Sequence, residues 1–327
     1  MIKNGFVDLQ INGYKGINFS SPELTIDQIR QATHELIKAG TIAYCPTLVT
    51  DSAEIYKRNL RLFARAMQER GLAEHLLGIH LEGPFISPLE GARGAHPPKF
   101  IRKPDIELLK HLQDWSEGRV VLLTLAPETE GAMPLIKYAV KNGIIISMGH
   151  HLAGDEVMIK AVRAGAKVCT HLGNGMPNMI NRHQNPLWWQ LSCDDISGMF
   201  ITDGHHLPAD FIKVALRAKT PARFIVVSDA AYLAGLPPGK YDFAYAKVVL
   251  APSGRIGFAN TPYLAGSSAN MVQCMNHLAS LNLLTEAELW QVGRENPLRL
   301  LGKKASILGK LPGPRVEFKK NKFTVKW

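Results

Sequence analysis

The chain has 327 residues, 46% of them hydrophobic, and 38 Lys and Arg against 28 Asp and Glu, for a formal net charge of +10. That is enough apolar material for one large domain. No apolar run reaches the roughly 18–20 residues of a membrane span, and a strand-like run starting at about Phe6 leaves no room for a signal peptide. The basic residues are dispersed, with one short cluster at Lys319-Lys320-Asn321-Lys322. No nucleic-acid partner is therefore expected. A solvated basic surface is the bland reading of the charge, and attraction of a phosphorylated metabolite the functional one. The scattered Cys45, Cys169, Cys193 and Cys274 form no CxxC pair and point to free thiols in a reducing cytoplasm.

Along the chain, apolar strand patterns fall at Phe6–Asn12, Thr41–Val49, Leu76–Leu81, Val120–Leu125, Ile144–His150, Lys167–His171, Ser197–Thr202 and Arg223–Ser228. Helical spacing predicts helices over Thr25–Lys38, Ser52–Arg70, Asp105–Trp115, Met133–Lys141, Asp155–Ala164, Asn185–Cys193 and Ala209–Ala218. Eight strand–helix repeats predict an α/β chain folded as a (β/α)8 barrel. A doubly wound open sheet is the rival, but polar residues end many strands rather than one switch point. Neither GxGxxG nor GxxxxGK[ST] occurs, so nucleotide-loop chemistry has no support. Beyond Asp229, Tyr241–Leu250 and Arg255–Phe258 read as a hairpin around Pro252-Ser253-Gly254. Helical segments follow at Ser267–Leu281, Thr285–Gly293 and Pro297–Leu301, and a last hairpin spans Arg315–Lys319 and Lys322–Trp327. The expected organisation is a barrel over residues 1–302 and a short β tail over 303–327.

Four strand ends carry the chemistry. Gly78-Ile79-His80-Leu81 runs into Glu82 before Gly83-Pro84, and three other strands end on His150, His171 and Asp229. Glu82, His150 and His171, with a water in the fourth position, make an open catalytic metal site. Asp229 would act as general base and then general acid. The bland readings are a solvent-facing carboxylate at Glu82, a satisfied core histidine at His171, and an ion pair or helix cap at Asp229. His151 is expected to enter a helix or to support the ligands. Loops over the same mouth bring His96, Asn174-Gly175, Arg182, His183 and Asp203-Gly204-His205-His206.

Several segments in this order and spacing carry a resemblance: Val7-Asp8-Leu9-Gln10-Ile11-Asn12-Gly13, His80-Leu81-Glu82-Gly83-Pro84-Phe85, Thr170-His171-Leu172-Gly173-Asn174-Gly175-Met176-Pro177 and Ser228-Asp229-Ala230. From about Phe6 to about Gly302 the chain resembles the N-acetylglucosamine-6-phosphate deacetylases of the amidohydrolase superfamily. The resemblance implies a deformed (β/α)8 barrel that removes acetyl from an N-acetylated amino-sugar 6-phosphate. By position it makes Glu82, His150 and His171 the metal ligands and Asp229 the acid/base. It makes His96 the group that helps polarise the acetyl carbonyl. Asn174, the backbone of Gly175 and His206 would bind the sugar phosphate. Arg182 would reach the phosphate from a neighbouring subunit, implying a homodimer.

Many amidohydrolases carry a His-x-His pair on the first strand and hold two metals. Gln10 and Asn12 stand there, so one divalent metal per subunit is expected, zinc first, with Fe, Co or Mn compatible with the same ligands. Members usually begin with a β-sandwich portion, expected here to be missing or reduced to the C-terminal hairpin. Gly173 and Gly175 either widen the sugar pocket or allow close backbone approach. The rival functions are deacetylation of another N-acetylated sugar, another amidohydrolase activity on cyclic amides, and a barrel that binds sugar phosphates without turnover.

Overall fold

The computed structural model describes residues 2–243, 246–259, 264–309 and 311–327. Its centre is the expected barrel: β1 (Phe6–Ile11), β2 (Thr41–Val49), β3 (Ile79–Glu82), β4 (Val120–Leu125), β5 (Ile145–Met148), β6 (Val168–Cys169), β7 (Ser197–Ile201) and β8 (Phe224–Val227). Each strand pairs in parallel with the next in sequence. The seam between β8 and β1 closes through an Ile11–Ala230 bridge and the Asn12 N–H, which donates to the Ala230 carbonyl at 2.8 Å. Asp8 ties the same seam, accepting the Ser228 N–H at 3.2 Å and the Ser228 hydroxyl. Burial pushes the Asp8 carboxyl up to about 7 against the pull of these bonds.

The strands are apolar on both faces because both are covered. Val7, Leu9, Cys45, Leu122, Met199, Ile201, Ile225 and Val227 pack into one cluster, and these inward positions alternate along each strand. The other face, with Phe6, Tyr44, Leu48, Leu123, Phe200 and Val226, packs with the helices. Those are α1 (Ile26–Lys38), α2 (Ala53–Ala66), α3 (Ile106–Trp115), α4 (Ala132–Lys141), α5 (Asp155–Arg163), α6 (Pro186–Ser192) and α7 (Ala209–Arg223). Their starts follow capping residues: Thr25 with Gln28, Ser52, Asp105 and Asn185 accept from the first-turn N–H groups of α1, α2, α3 and α6.

The elements differ from expectation mainly at their ends. The strands expected over Ile144–His150 and Lys167–His171 stop at Met148 and Cys169. His150 (φ 53°) and His171 (φ 28°) leave the extended region and cannot continue a ladder. The third strand starts at Ile79 rather than Leu76. Helix α2 ends at Ala66, not Arg70. Helix α7 runs past Ala218 but breaks at Thr220 (φ 54°), ahead of Pro221. The helix expected from Ser267 begins at Met271, where Asn270 and Gln273 form a capping box. The segment Tyr241–Leu250 is two antiparallel strands, Gly239–Phe243 and Ala246–Leu250, joined by Ile256–Phe258 in a small sheet. Residues 244 and 245 lie outside the described residues.

The C-terminal hairpin pairs Arg315–Lys319 with Lys322–Lys326, and Ile2–Lys3 adds a third antiparallel strand. Lys320 and Asn321 both have positive φ, as a two-residue hairpin turn requires. Phe323 is buried against Phe6 and Trp290, with ring centroids 5.0 and 5.1 Å away. Phe6 opens β1, so this β appendage sits at the amino end of the barrel, opposite the strand ends that carry the polar residues.

Candidate active site

Three side chains from three strand ends meet at one point. Glu82 Oε1 lies 3.1 Å from His150 Nε2 and 3.0 Å from His171 Nε2, and the two Nε2 atoms are 3.0 Å apart. All three residues are buried. The positive φ values of His150 and His171 turn these side chains out of the ladder and toward Glu82. Asp229, after β8, is a third such residue at φ 48°. Strained backbone of this kind persists only where the surroundings fix it, and it gathers at functional sites.

Hydrogen bonding decides what this cluster can hold. His150 Nδ1 lies 2.8 Å from the Ala92 carbonyl, which only accepts, so Nδ1 carries the proton and Nε2 of the neutral ring offers a lone pair. That lone pair faces a carboxylate oxygen and a second imidazole nitrogen. A divalent cation bound by all three atoms would satisfy them together. Among the described residues, Glu82, His150 and His171 are the group whose ligand atoms converge in this way. One carboxylate and two imidazoles suit zinc and its first-row neighbours. Burial alone would raise the Glu82 carboxyl, but the adjoining His150 and His171 rings hold it well below the ordinary carboxylate range. Gln10 Nε2 adds a bond to the same oxygen at 2.9 Å.

Asp229 faces the same cavity, a cleft of about 510 Å³ at the carboxyl ends of the strands. Burial, and then the charge of Glu82, push its carboxyl up to about 8, while Asn12 Nδ2 donates to Oδ1 at 2.6 Å. His96 is buried on the rim, its Nε2 3.3 Å from His150 Nε2. Burial and the neighbouring His150 drive its imidazole down to about 3. Asn174, Gly175 and His206 line the cavity as well. A Cβ on Gly175 would lie 3.0 Å from His171 Cε1 and 3.1 Å from His150 Nδ1, so the chain passes directly against the ligand rings. Close backbone approach, not a widened pocket, accounts for this glycine.

His206 Nδ1 donates to Asp203 Oδ2 at 2.8 Å. Burial would raise the Asp203 carboxyl, but the bond and charge of His206 bring it down to about 2. Other expected residues point elsewhere. His205 bonds the Ser253 carbonyl at 3.0 Å. His151 is buried beside Gln190 and accepts the Ala153 N–H at 3.2 Å. Arg182 and His183 are exposed, with the Arg182 carbonyl accepting from Trp188 Nε1 at 2.9 Å. Within one chain Arg182 does not join the residues that line the cavity.

Sequence reading missed two supports. Thr50 Oγ1 meets His96 Nδ1 at 2.9 Å, and the Ala92 carbonyl fixes His150. The first had a signal, since Thr50 directly follows β2 at the same carboxyl end that carries the ligands. The second is a main-chain atom of the loop after β3 and has no sequence signature.

No family model matches the chain. Comparison with individual proteins gives a clear result. An N-acetylglucosamine-6-phosphate deacetylase from Danio rerio is 34% identical over 318 residues, covering 92% of this chain and 76% of that protein. An N-acetylgalactosamine-6-phosphate deacetylase from Escherichia coli O157:H7 is 29% identical, covering 95% of this chain and 80% of its own length. Among solved structures, the N-acetyl-D-glucosamine-6-phosphate deacetylase from Mycobacterium smegmatis superposes with a TM-score of 0.86 at 28% identity, covering 100% of this chain and 85% of that one. A mutant of the same enzyme has been solved in complex with N-acetyl-D-glucosamine-6-phosphate. With this identity and coverage, and with the barrel and its Glu–His–His cluster in place, the chain belongs to the N-acetylglucosamine-6-phosphate deacetylase family of the amidohydrolase superfamily.

Proposed function

We propose that this chain hydrolyses the acetamide of N-acetylglucosamine 6-phosphate to glucosamine 6-phosphate and acetate. The observation that carries the reading is the convergence of Glu82 Oε1, His150 Nε2 and His171 Nε2 within one cleft that also holds Asp229. A single divalent metal, zinc in our reading, would be held by these three ligands and supplies Lewis acidity and an activated water at neutral pH. A cation held beside Glu82 would favour the ionised form of Asp229, which takes the proton of the attacking water and returns it to the amide nitrogen as the C–N bond breaks. The water oxygen ends in acetate. His96 faces the carbonyl oxygen and stabilises the charge that develops there. Asn174, the Gly175 N–H and His206 bind the sugar phosphate, and Arg182 reaches it from a neighbouring subunit of a homodimer. Arginine suits that role because its fork matches phosphate oxygens.

Gln10 and Asn12 are already engaged with Glu82 and Asp229, which supports one metal rather than two. Four free cysteines fit a reducing cytoplasm. Among the described residues no helix is long and apolar enough to cross a membrane. Elemental analysis of the purified protein, followed by chelation and zinc add-back, tests the metal reading. Turnover should track metal content up to one ion per chain. Full activity in demetallated protein would contradict it.

A further inference from the structure

We infer that His80, Thr124, Thr170 and Ser147 form a buried positioning layer that holds the ligand-bearing strand ends in the geometry the metal needs. This inference rests on the metal reading above. The four side chains lie across β3, β4, β5 and the end of β6, and none is more than 2% exposed. His80 Nδ1 is 3.0 Å from the Leu9 carbonyl, and His80 Nε2 is 2.7 Å from Thr124 Oγ1. Thr124 Oγ1 is 2.6 Å from Thr170 Oγ1, which in turn meets Ser147 Oγ.

One carbonyl fixes every proton in this chain. The Leu9 carbonyl only accepts, so Nδ1 of the neutral His80 ring donates and Nε2 must accept. The Thr124 hydroxyl therefore donates to His80. The Thr170 hydroxyl then donates to Thr124, and the Ser147 hydroxyl donates to Thr170. Each hydroxyl proton is used, and each member from His80 to Thr170 accepts one bond. A satisfied buried network of this kind admits one arrangement and penalises others.

Its position gives it a role beyond core packing. His80 is two residues before Glu82, Ser147 three before His150, and Thr170 directly before His171. A Cβ on Gly149 would fall 2.7 Å from Thr170 Cβ and 2.8 Å from Thr124 Cγ2, so the layer lies directly under the peptide that leads into His150. Both histidines sit at positive φ, a conformation that surrounding structure must impose. The layer supplies that constraint on the side of the ligands away from the cleft.

The test is zinc affinity of the full-length protein, measured by competition with a chelator, beside urea unfolding of the metal-free form. Thr170→Val keeps the shape and removes both hydroxyl bonds. It should raise the zinc Kd about 10–100-fold, the usual effect of losing groups that orient ligands, and Thr170→Ser should restore it. Ser147→Ala removes only the last donor, should raise the Kd by less, and provides the test if Thr170→Val does not fold. A lowered unfolding midpoint with unchanged zinc Kd in these variants would overturn the positioning role and leave the metal reading intact. Failure of the wild-type protein to bind zinc would overturn both.

Discussion

In the proposed mechanism turnover depends most on Asp229. Asp229→Asn keeps the side-chain shape but cannot accept the proton. Its kcat is expected to fall about 10²–10⁴-fold, with binding of N-acetylglucosamine 6-phosphate retained by calorimetry. Loss of binding together with turnover would instead make Asp229 a substrate-holding group. Asp203 gives a prediction in pH. Its carboxyl is lowered from 3.8 to about 2 through His206. A depressed carboxyl contributes stability that is present above about pH 4 and is lost as the pH falls through about 2. The shift corresponds to about 2 kcal/mol. Asp203→Asn should therefore cost up to about 2 kcal/mol in urea unfolding at pH 6 and almost nothing near pH 2. An equal cost at both values would show that the charge is not the cause. At this scale the sequence was readable where a residue's place in a strand decides its direction. Glu82 ends its strand, His150, His171 and Asp229 each stand two residues past theirs, and all four reach the cleft. His205 and His206 are adjacent in one turn, so only folded contacts with Ser253 and Asp203 separate their directions.

The strand ends stop short because the residues that leave the ladder are those that turn into the site. Periodicity carries Ile144–His150 and Lys167–His171 to the histidines, but the left-handed conformations there are tertiary features that an apolar pattern does not encode. Four helix starts were legible for the opposite reason. Thr25, Ser52, Asp105 and Asn185 act within a few residues of themselves, and the helices begin where those signals stand. Tyr241–Leu250 is expected as one strand, because no glycine or proline interrupts its run, yet it divides between Gly239–Phe243 and Ala246–Leu250. Packing of the C-terminal hairpin gives an element-scale prediction. Phe323 is 1% exposed and touches Phe6, Trp290 and Phe318. Phe323→Ala should destabilise the protein by about 3–5 kcal/mol, while KM, measured well below the new melting point, stays unchanged. A large rise in KM would mean that the appendage communicates with the opposite end of the barrel.

For the whole molecule, barrel closure brings residues from β1, β3, β5, β6 and β8 to one mouth, so the site does not exist in any single segment. The alternation of strand and helix made the barrel legible. A contact between subunits is not legible in one chain, and Arg182, exposed on its loop, is where that matters. If Arg182 serves a neighbouring site, Arg182→Ala and Asp229→Asn should each be nearly inactive alone. Mixed by co-refolding in equal amounts, half the dimers would be hybrids, each with one complete site. About one site in four should then recover. No recovery, with hybrid dimers demonstrated by mass, would place Arg182 outside the neighbouring site. The central claim is a metal-dependent deacetylation of a phosphorylated amino sugar. Its most direct test is acetate release from N-acetylglucosamine 6-phosphate, run beside N-acetylglucosamine and N-acetylgalactosamine 6-phosphate, with metal content assayed on the same sample. Fastest turnover of N-acetylglucosamine 6-phosphate at about one metal per chain is the result expected. A metal-loaded protein that releases no acetate from any of the three would contradict the claim.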